Sequence, residues 1–302
     1  MKVVIVGGAG FLGTNLALSL TKKEYKVLTI DLQTNERLKQ ADIPFTACDL
    51  QDTETLEKSI DKDDVVVHFA GSAIPNASSQ SAYEDAATHI LPSIGLLDVC
   101  VKKQAARVIY ASSGGQVYGV PQYTPIDENH PTDPQTAYGI HKLAVEEYMQ
   151  LYQRMYGLRT IILRFSNPYG PGQRPYRGQG IVATFLASAR EGRPVEIWGD
   201  GNSVRDYIYI DDLTEAVEAA IRYDGRTSVF NIGSGIGTTV HEIAEAIEQA
   251  TGTTLAKTCI PSKPADVGIN ILNCSRAEQE LSWKASISLA DGIAMMIRSH
   301  QA

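Results

Sequence analysis

The sequence is poor in the residues that announce several specialised chemistries. Four cysteines, Cys48, Cys100, Cys259 and Cys274, are scattered over 302 residues with no C-x-x-C spacing. Such a set neither staples a secreted scaffold nor ligates a metal, and it reads as reduced thiols of a cytoplasmic protein. The six histidines show no H-E-x-x-H or related spacing, so no metal site is expected. Positive charge is short as well. A net charge of −8 argues against nucleic acid or an anionic membrane as a partner. It leaves room for one anionic ligand, which local basic residues would hold. No apolar run approaches the roughly 18 residues of a membrane span. The start, "MKVVIVGGAGFLG", lacks the long apolar stretch and small-residue cleavage site of a signal peptide. No internal repeat or low-complexity tract is present.

What the chain does have is an alternating rhythm. With 43% hydrophobic and 21% charged residues it can bury an ordinary globular core. "KVVIVG" is a continuous apolar run ended by glycine, as a strand buried on both faces requires. Leu12, Leu16 and Leu20 then recur at helical spacing. Further strands are predicted at "KVLTID", "IPFTAC", "DVVVHFA", "ARVIYAS" and "LRTIILR", with helices over Thr53–Ile60, Tyr83–Lys103 and Thr136–Tyr156. Strand, helix, strand in repetition implies parallel strands with right-handed crossovers, an α/β doubly wound (Rossmann) sheet.

After Asn167 the rhythm changes. "NPYGPGQRPYRGQG" is too rich in glycine and proline for a long helix or central strand. A helix near Ile181–Arg190 follows, with strands at "VEIWG" and "DYIYI" and a helix over Asp211–Arg222 capped by Asp211 or Asp212. "SVFNIG", a helix at Val240–Thr251 and a last helix near Leu289–Ser299 complete the chain. The expected division is a sheet domain over residues 1–167 with a return segment about 204–232. A smaller interleaved substrate lobe then takes 168–203 and 233–302.

Three glycines, Gly7, Gly10 and Gly13, stand at G-x-x-G-x-x-G spacing between the first strand and the first helix. There the chain must turn tightly, let a pyrophosphate approach the backbone and aim a helix N-terminus at it. Asp31 ends the next strand about 20 residues on, where a carboxylate binds ribose hydroxyls and repels a 2′-phosphate, so NAD is favoured over NADP. Arg37 is close enough in sequence to keep NADP in view, and a solvated loop acid is the plain alternative for Asp31. Asp49 of "ACDL" suits the adenine amino group, or alternatively caps the helix of "TETLEKSI". Tyr138 and Lys142 lie four apart at the start of a helix, on one face. An ammonium at about 4 Å is worth roughly 4 kcal/mol at an effective dielectric near 20, or about three pKa units, enough to bring a phenol near 7.

With these residues on view, the chain resembles the extended short-chain dehydrogenases/reductases, in their nucleotide-sugar epimerase/dehydratase branch. The likeness runs through "GGAGFLG", "CDL", "HFAG", "SSGGQVYG", "YGIHK", "LRFSNPYGPGQ", "GDGNSVRDYIYIDDL", "NIGSG" and "LSWKASISLADGI". It implies NAD contacts from Phe11, Leu12, Leu50, Phe69, Ala70 and Gly71 besides the residues above, and a Tyr138, Lys142 and Ser113 catalytic set. In many relatives a hydroxyl stands at the position of Gly114; here Ser113, with Ser112 behind it, is nearest. Relatives that dehydrate sugars carry an Asp-Glu pair where this chain has Gly115 and Gln116, and an amide is neither acid nor base. The resemblance therefore implies an NAD-dependent nucleotide-sugar 4-epimerase working through a 4-keto sugar, on UDP-hexoses or UDP-N-acetylhexosamines. A keto-sugar reductase and a non-catalytic NAD-binding scaffold are the rivals. Asn167, Arg205, Lys263 and Asn270 are the implied substrate contacts, with Arg174 and Arg177 as helpers. Lys263 keeps a charge where relatives use arginine, Asn270 replaces a bulky tyrosine of some relatives, and His89 stands in for an asparagine near the cofactor. The helices Tyr83–Lys103 and Thr136–Tyr156 resemble the pair through which relatives form a homodimer.

Overall fold

The computed structural model describes residues 1–71, 82–176, 180–261 and 267–299. In chain order the first half runs β1 (Lys2–Val6), α1 (Phe11–Lys22), β2 (Lys26–Asp31), α2 (Glu36–Gln40), β3 (Phe45–Ala47), α3 (Thr53–Ser59), β4 (Val65–His68), α4 (Ala82–Lys103), β5 (Arg107–Ser113), α5 (Ala137–Tyr156) and β6 (Thr160–Phe165). The second half runs β7 (Asn167–Tyr169), α6 (Ile181–Glu191), β8 (Val195–Trp198), β9 (Val204–Tyr209), α7 (Ile210–Arg222), β10 (Val229–Ile232), β11 (Gly237–Thr239), α8 (Val240–Thr251), β12 (Lys257–Ile260), β13 (Ile269–Asn270), α9 (Ser275–Leu281) and α10 (Leu289–Ser299).

Seven strands form one parallel sheet in the order β10-β6-β5-β4-β1-β2-β3. The strand order reverses between β1 and β4, the crevice where such sheets bind ligands. Period two sorts the β1 side chains onto two faces. Val3 and Ile5 join Leu16, Leu20, Leu213 and Val217 of α1 and α7, while Val4 and Val6 join Leu96, Leu97, Val145 and Met149 of α4 and α5. Each fully buried aliphatic side chain contributes roughly 1.5–3 kcal/mol, which is why the central strands read as unbroken apolar runs.

Strands β7, β9, β11 and β13 form a second sheet, and β12 with β8 a third. The expected return segment 204–232 is therefore divided. Val204–Tyr209 pairs within the second sheet, and only α7 and β10 rejoin the large sheet, α7 against α1 and β10 beside β6.

The expected cap of α7 is also different. Tyr209 is its N-cap residue and no side chain caps it. Asp212 instead turns its buried carboxylate to the chain before α10, accepting from the amides of Ser286 at 3.1 Å and Ile287 at 2.9 Å. The buried carboxylate is satisfied by these two N–H groups and by the Ser286 hydroxyl at 3.1 Å, so it is not free for the helix end.

Candidate active site

The turn after β1 is built around the close approach of two backbones. Gly7 has φ +83°, and a Cβ there would lie 2.5 Å from the amide nitrogen of Ala70. At Gly13 a Cβ would strike the Gly7 carbonyl and come within 2.6 Å of the Gly8 Cα. Helix α1 starts from Gly10 with no side-chain cap, so its first amides stay available to an anion. Phe11 and Leu12 pack partly buried on the core beside it. Asp31, at the end of β2, accepts from the amide of Ala9 at 3.0 Å and thereby holds the glycine turn. Phe69 and Ala70 both donate to the Val6 carbonyl, at 2.8 and 3.0 Å, which sets the end of β4 beside the same turn. Gly71 follows, with His89 of α4 next to it: a Cβ on Gly71 would be 3.8 Å from the imidazole Nδ1. Leu50 packs on the core near Cys48, and Asp49 is exposed. The cap of α3 is Asp52, which takes the Thr55 amide, so Asp49 does not serve that helix. Arg37 bonds Asn15 Oδ1 at 2.9 Å and the Pro171 carbonyl at 3.2 Å, tying the glycine-proline loop to α1. Its guanidinium is thus already engaged, and a 2′-phosphate finds no free arginine fork there. A glycine cradle that no Cβ would leave open, an uncapped helix start and a carboxylate at the strand end together fit a dinucleotide.

The second half of the site joins β5 to α5. Thr136 caps α5 by accepting from the Gly139 amide at 3.1 Å, and its own hydroxyl donates to Gln116 at 2.9 Å. Gln116 is thus occupied in bracing the helix. Lys142 sends its ammonium to the Ala111 carbonyl at 2.7 Å, over the ring of Tyr110 at 4.7 Å and 5.7 Å from the ring centre of Tyr138. The Ser113 hydroxyl stands near the Tyr138 phenol and favours its ionised form. Ser112, on the opposite face of the strand, donates instead to Glu146. The choice between the two serines is thereby separated in space: Ser113 meets the phenol and Ser112 does not.

Gly114 explains the displaced hydroxyl. A Cβ on it would lie 2.7 and 2.9 Å from the two methyls of Leu272, which fill the space a serine side chain would need.

The electrostatics differ from the expectation drawn from spacing alone. Burial pushes the Tyr138 phenol up to about 12, opposed by the Ser113 hydroxyl. Burial also pushes the Lys142 ammonium down to about 8, opposed by Glu146. A phenol near 7 is not reached by the lysine, because its ammonium is held on a backbone carbonyl rather than on the phenol oxygen.

Three of the four expected substrate contacts lie on linked strands of the second sheet. Asn167 of β7 donates to the Asp206 carbonyl at 2.9 Å. Arg205 of β9 lies directly opposite Asn270 of β13, which puts the two side chains on one face of the sheet. Arg205 donates to the carbonyls of Val204 at 2.9 Å and Gly268 at 3.3 Å. Asn270 is 1% exposed and donates to the Gly114 carbonyl at 3.1 Å, while its Oδ1 is buried without a hydrogen-bond partner. It therefore connects the second sheet to the serine loop. Arg174 is exposed, and Lys263 and Arg177 lie outside the described residues.

Four participants escaped the sequence reading: Leu272, Glu146, Arg164 and Asn15. Glu146 alone had a legible signal, since it continues the i, i+4 row of Tyr138 and Lys142.

Residues 3–233 match the model of the NAD dependent epimerase/dehydratase family. The chain belongs to this family. NAD is accordingly its cofactor. The chain is 34% identical, over 98% of its length and 97% of the other's, to a protein of Methanocaldococcus jannaschii provisionally named a UDP-glucose 4-epimerase. It is 30% identical to the dTDP-4-dehydro-6-deoxyglucose reductase of Escherichia coli, over 98% of this chain and 96% of that one. Among solved structures, the UDP-glucose 4-epimerase of Thermotoga maritima with UDP-glucose superposes with a TM-score of 0.94, at 33% identity, covering 100% of this chain and 99% of that one. The UDP-glucose 4-epimerase of Thermus thermophilus with NAD gives a TM-score of 0.92 at 29% identity, with coverage of 100% and 99%. Among the described residues no helix is long and apolar enough to cross a membrane.

Proposed function

We propose that this family member is an NAD-dependent nucleotide-sugar 4-epimerase acting on UDP-hexoses or UDP-N-acetylhexosamines. The observation that carries the reading is the row formed by the Ser113 hydroxyl, the Tyr138 phenol and the Lys142 ammonium, at the β5 edge of the crevice. Bound NAD, held by Gly7, Gly10, Gly13 and Asp31, supplies the acceptor of the C4 hydride, its return, and the positive charge of its oxidised ring. Tyr138 takes the proton of the sugar 4-hydroxyl through or beside Ser113, and gives it back after the 4-keto sugar has turned. Lys142 stands over the same ring at 5.7 Å from its centre, and the positive charge that lowers the buried phenol is left chiefly to the oxidised cofactor ring. No carboxylic acid stands where dehydration needs one, since Gly115 has no side chain and Gln116 braces α5. Arg205 suits the diphosphate as a planar fork, and Asn167 the sugar or the diphosphate.

The similarity to a reductase supports one rival, reduction of a keto-sugar by the same residues. Incubation with UDP-glucose, UDP-galactose and their N-acetylated counterparts, read by NMR, tests the first reading. Interconversion without net NADH change is expected, and net oxidation of added NADH with a keto-sugar would replace the epimerase by a reductase. Tyr138→Phe should abolish turnover and leave NAD bound; retained activity would mean another base. Asn270, smaller than tyrosine, is proposed to leave room for an N-acetyl group.

A homodimer through α4 and α5 is also proposed. Leu91, Tyr148, Leu151 and Met155 expose large apolar side chains on those two helices. A monomer by light scattering would refute it.

A further inference from the structure

Three successive residues of β5 face three successive turns of α5, and two of them are fastened there. The Ala111 carbonyl takes the Lys142 ammonium and the Ser112 hydroxyl donates to Glu146, while the Ser113 hydroxyl stands near the Tyr138 phenol. Residues 138, 142 and 146 follow one another at i, i+4 on a single helix face. The first two turns have roles in the proposed reaction. The third has none so far.

Glu146 is fully buried, and its carboxylate is saturated from two strands. Arg164 of β6 reaches it with Nε at 3.1 Å from both oxygens and with Nη2 at 2.6 Å from Oε2. The same guanidinium donates to the Tyr118 phenol at 3.0 Å, and that phenol donates to Asn231 Oδ1 at 2.7 Å. A dry ion pair of this kind is a poor stabiliser, because removing both charges from water costs about as much as their attraction returns. Its value therefore lies in geometry and charge placement.

Building on the epimerase reading, we propose that Glu146 is a positioning residue for the proton-transfer site. It locks the register of α5 against β5 and supplies the negative charge that balances the Lys142 ammonium. The ionisable groups around this pair are few. On α5 they are Tyr138, His141 and Lys142; on α4, His89, whose ring lies 5.5 Å from that of His141; on β5, Tyr110 lies beneath the ammonium; in the loop after β5, Tyr118; on β6, Arg164; and on β4, His68, which burial keeps neutral. Glu146 is the negative charge among them. Without it, burial would act on Lys142 unopposed, and the lysine would lose its proton nearer neutral pH.

The test uses the NAD-loaded enzyme and two variants. Glu146→Gln keeps the shape and removes the charge; Ser112→Ala removes one hydrogen bond and no charge. Side-chain titration of Lys142 is followed by NMR of lysine-labelled protein, assigned by loss of the signal in Lys142→Arg. In Glu146→Gln, kcat should fall at least tenfold with NAD retained, and Lys142 should titrate at least one pH unit lower than in wild type. In Ser112→Ala, kcat should fall several-fold at unchanged KM, with the lysine titration unmoved. An unshifted Lys142 titration in folded Glu146→Gln overturns the proposal. If that variant does not fold, wild-type kcat in Ser112→Ala overturns it instead. Absence of any UDP-sugar turnover in the wild type would defeat the epimerase reading alone, because the lysine titration does not depend on activity.

Discussion

Returning the hydroxyl to the position it holds in many relatives should damage this protein rather than improve it. In Gly114→Ser the new Cβ would meet the Leu272 methyls at 2.7 and 2.9 Å and the Arg164 carbonyl at 3.3 Å. Leu272 is fully buried and packs with Val117, Tyr118 and Ile126, so it has little room to retreat. Overpacking of this kind costs about 1–3 kcal/mol. With about 2.1 cal/mol/K of unfolding entropy per residue, a chain of this size should lose roughly 2–5 °C in melting temperature. Leu272→Ala alone should cost about 2–5 kcal/mol through its cavity. In the double variant the serine would partly occupy that cavity, so the two losses should not add; a coupling of about 1 kcal/mol or more is expected. Thermal and urea melts of the four proteins close the cycle. A Gly114→Ser protein that melts with the wild type, or a double variant with strictly additive losses, would refute the account of the displaced hydroxyl.

Other substitutions probe the remaining joints. Gly13→Ala should abolish NAD retention, since its Cβ would collide with backbone of the turn and not with a movable side chain; equilibrium dialysis with labelled NAD measures this. His68, buried at the end of β4 and pushed down to about 3, stays neutral in the fold while the unfolded chain protonates below about 6.5. Stability should therefore drop as pH falls from about 6.5 toward 3, by roughly 2 kcal/mol at pH 5. A folded His68→Asn variant should lack this share of the acid sensitivity, and identical urea midpoints against pH would disprove it. Asp212→Ala leaves the Ser286 and Ile287 amides unpaired and should destabilise by about 2–4 kcal/mol, with faster hydrogen exchange at those amides.

The large sheet was readable because burial on both faces writes itself as apolar runs, and glycines mark the turn where two backbones nearly touch. Tyr138 and Lys142 were readable as neighbours because helical spacing places them on one face, whereas Ser113 was named through the family resemblance and not by spacing. What escaped was decided by partners far along the chain. The short polar strands "GTT" and "IN" exist through pairing with β9, for which their own residues give no signal. Asp212 looked like a helix cap until residues 286–287 claimed it. The lysine effect on the phenol was overestimated because spacing gives the distance between turns, and the Ala111 carbonyl gives the direction in which the ammonium points.

The way the chain passes back and forth between its sheets has a genetic corollary. The strand at the outer edge of the large sheet, β10, is encoded between two sets of strands of the smaller sheets, β7, β8 and β9 before it and β11, β12 and β13 after it, and β9 runs straight into α7. Neither half is one uninterrupted stretch of coding sequence. A single crossover between β6 and α7 of two related genes would pair one parent's β6 with the other's β10 and one parent's α1 with the other's α7. New ligand preferences on this scaffold are thus more easily reached by local changes in loops and strands of the smaller sheets than by exchanging modules.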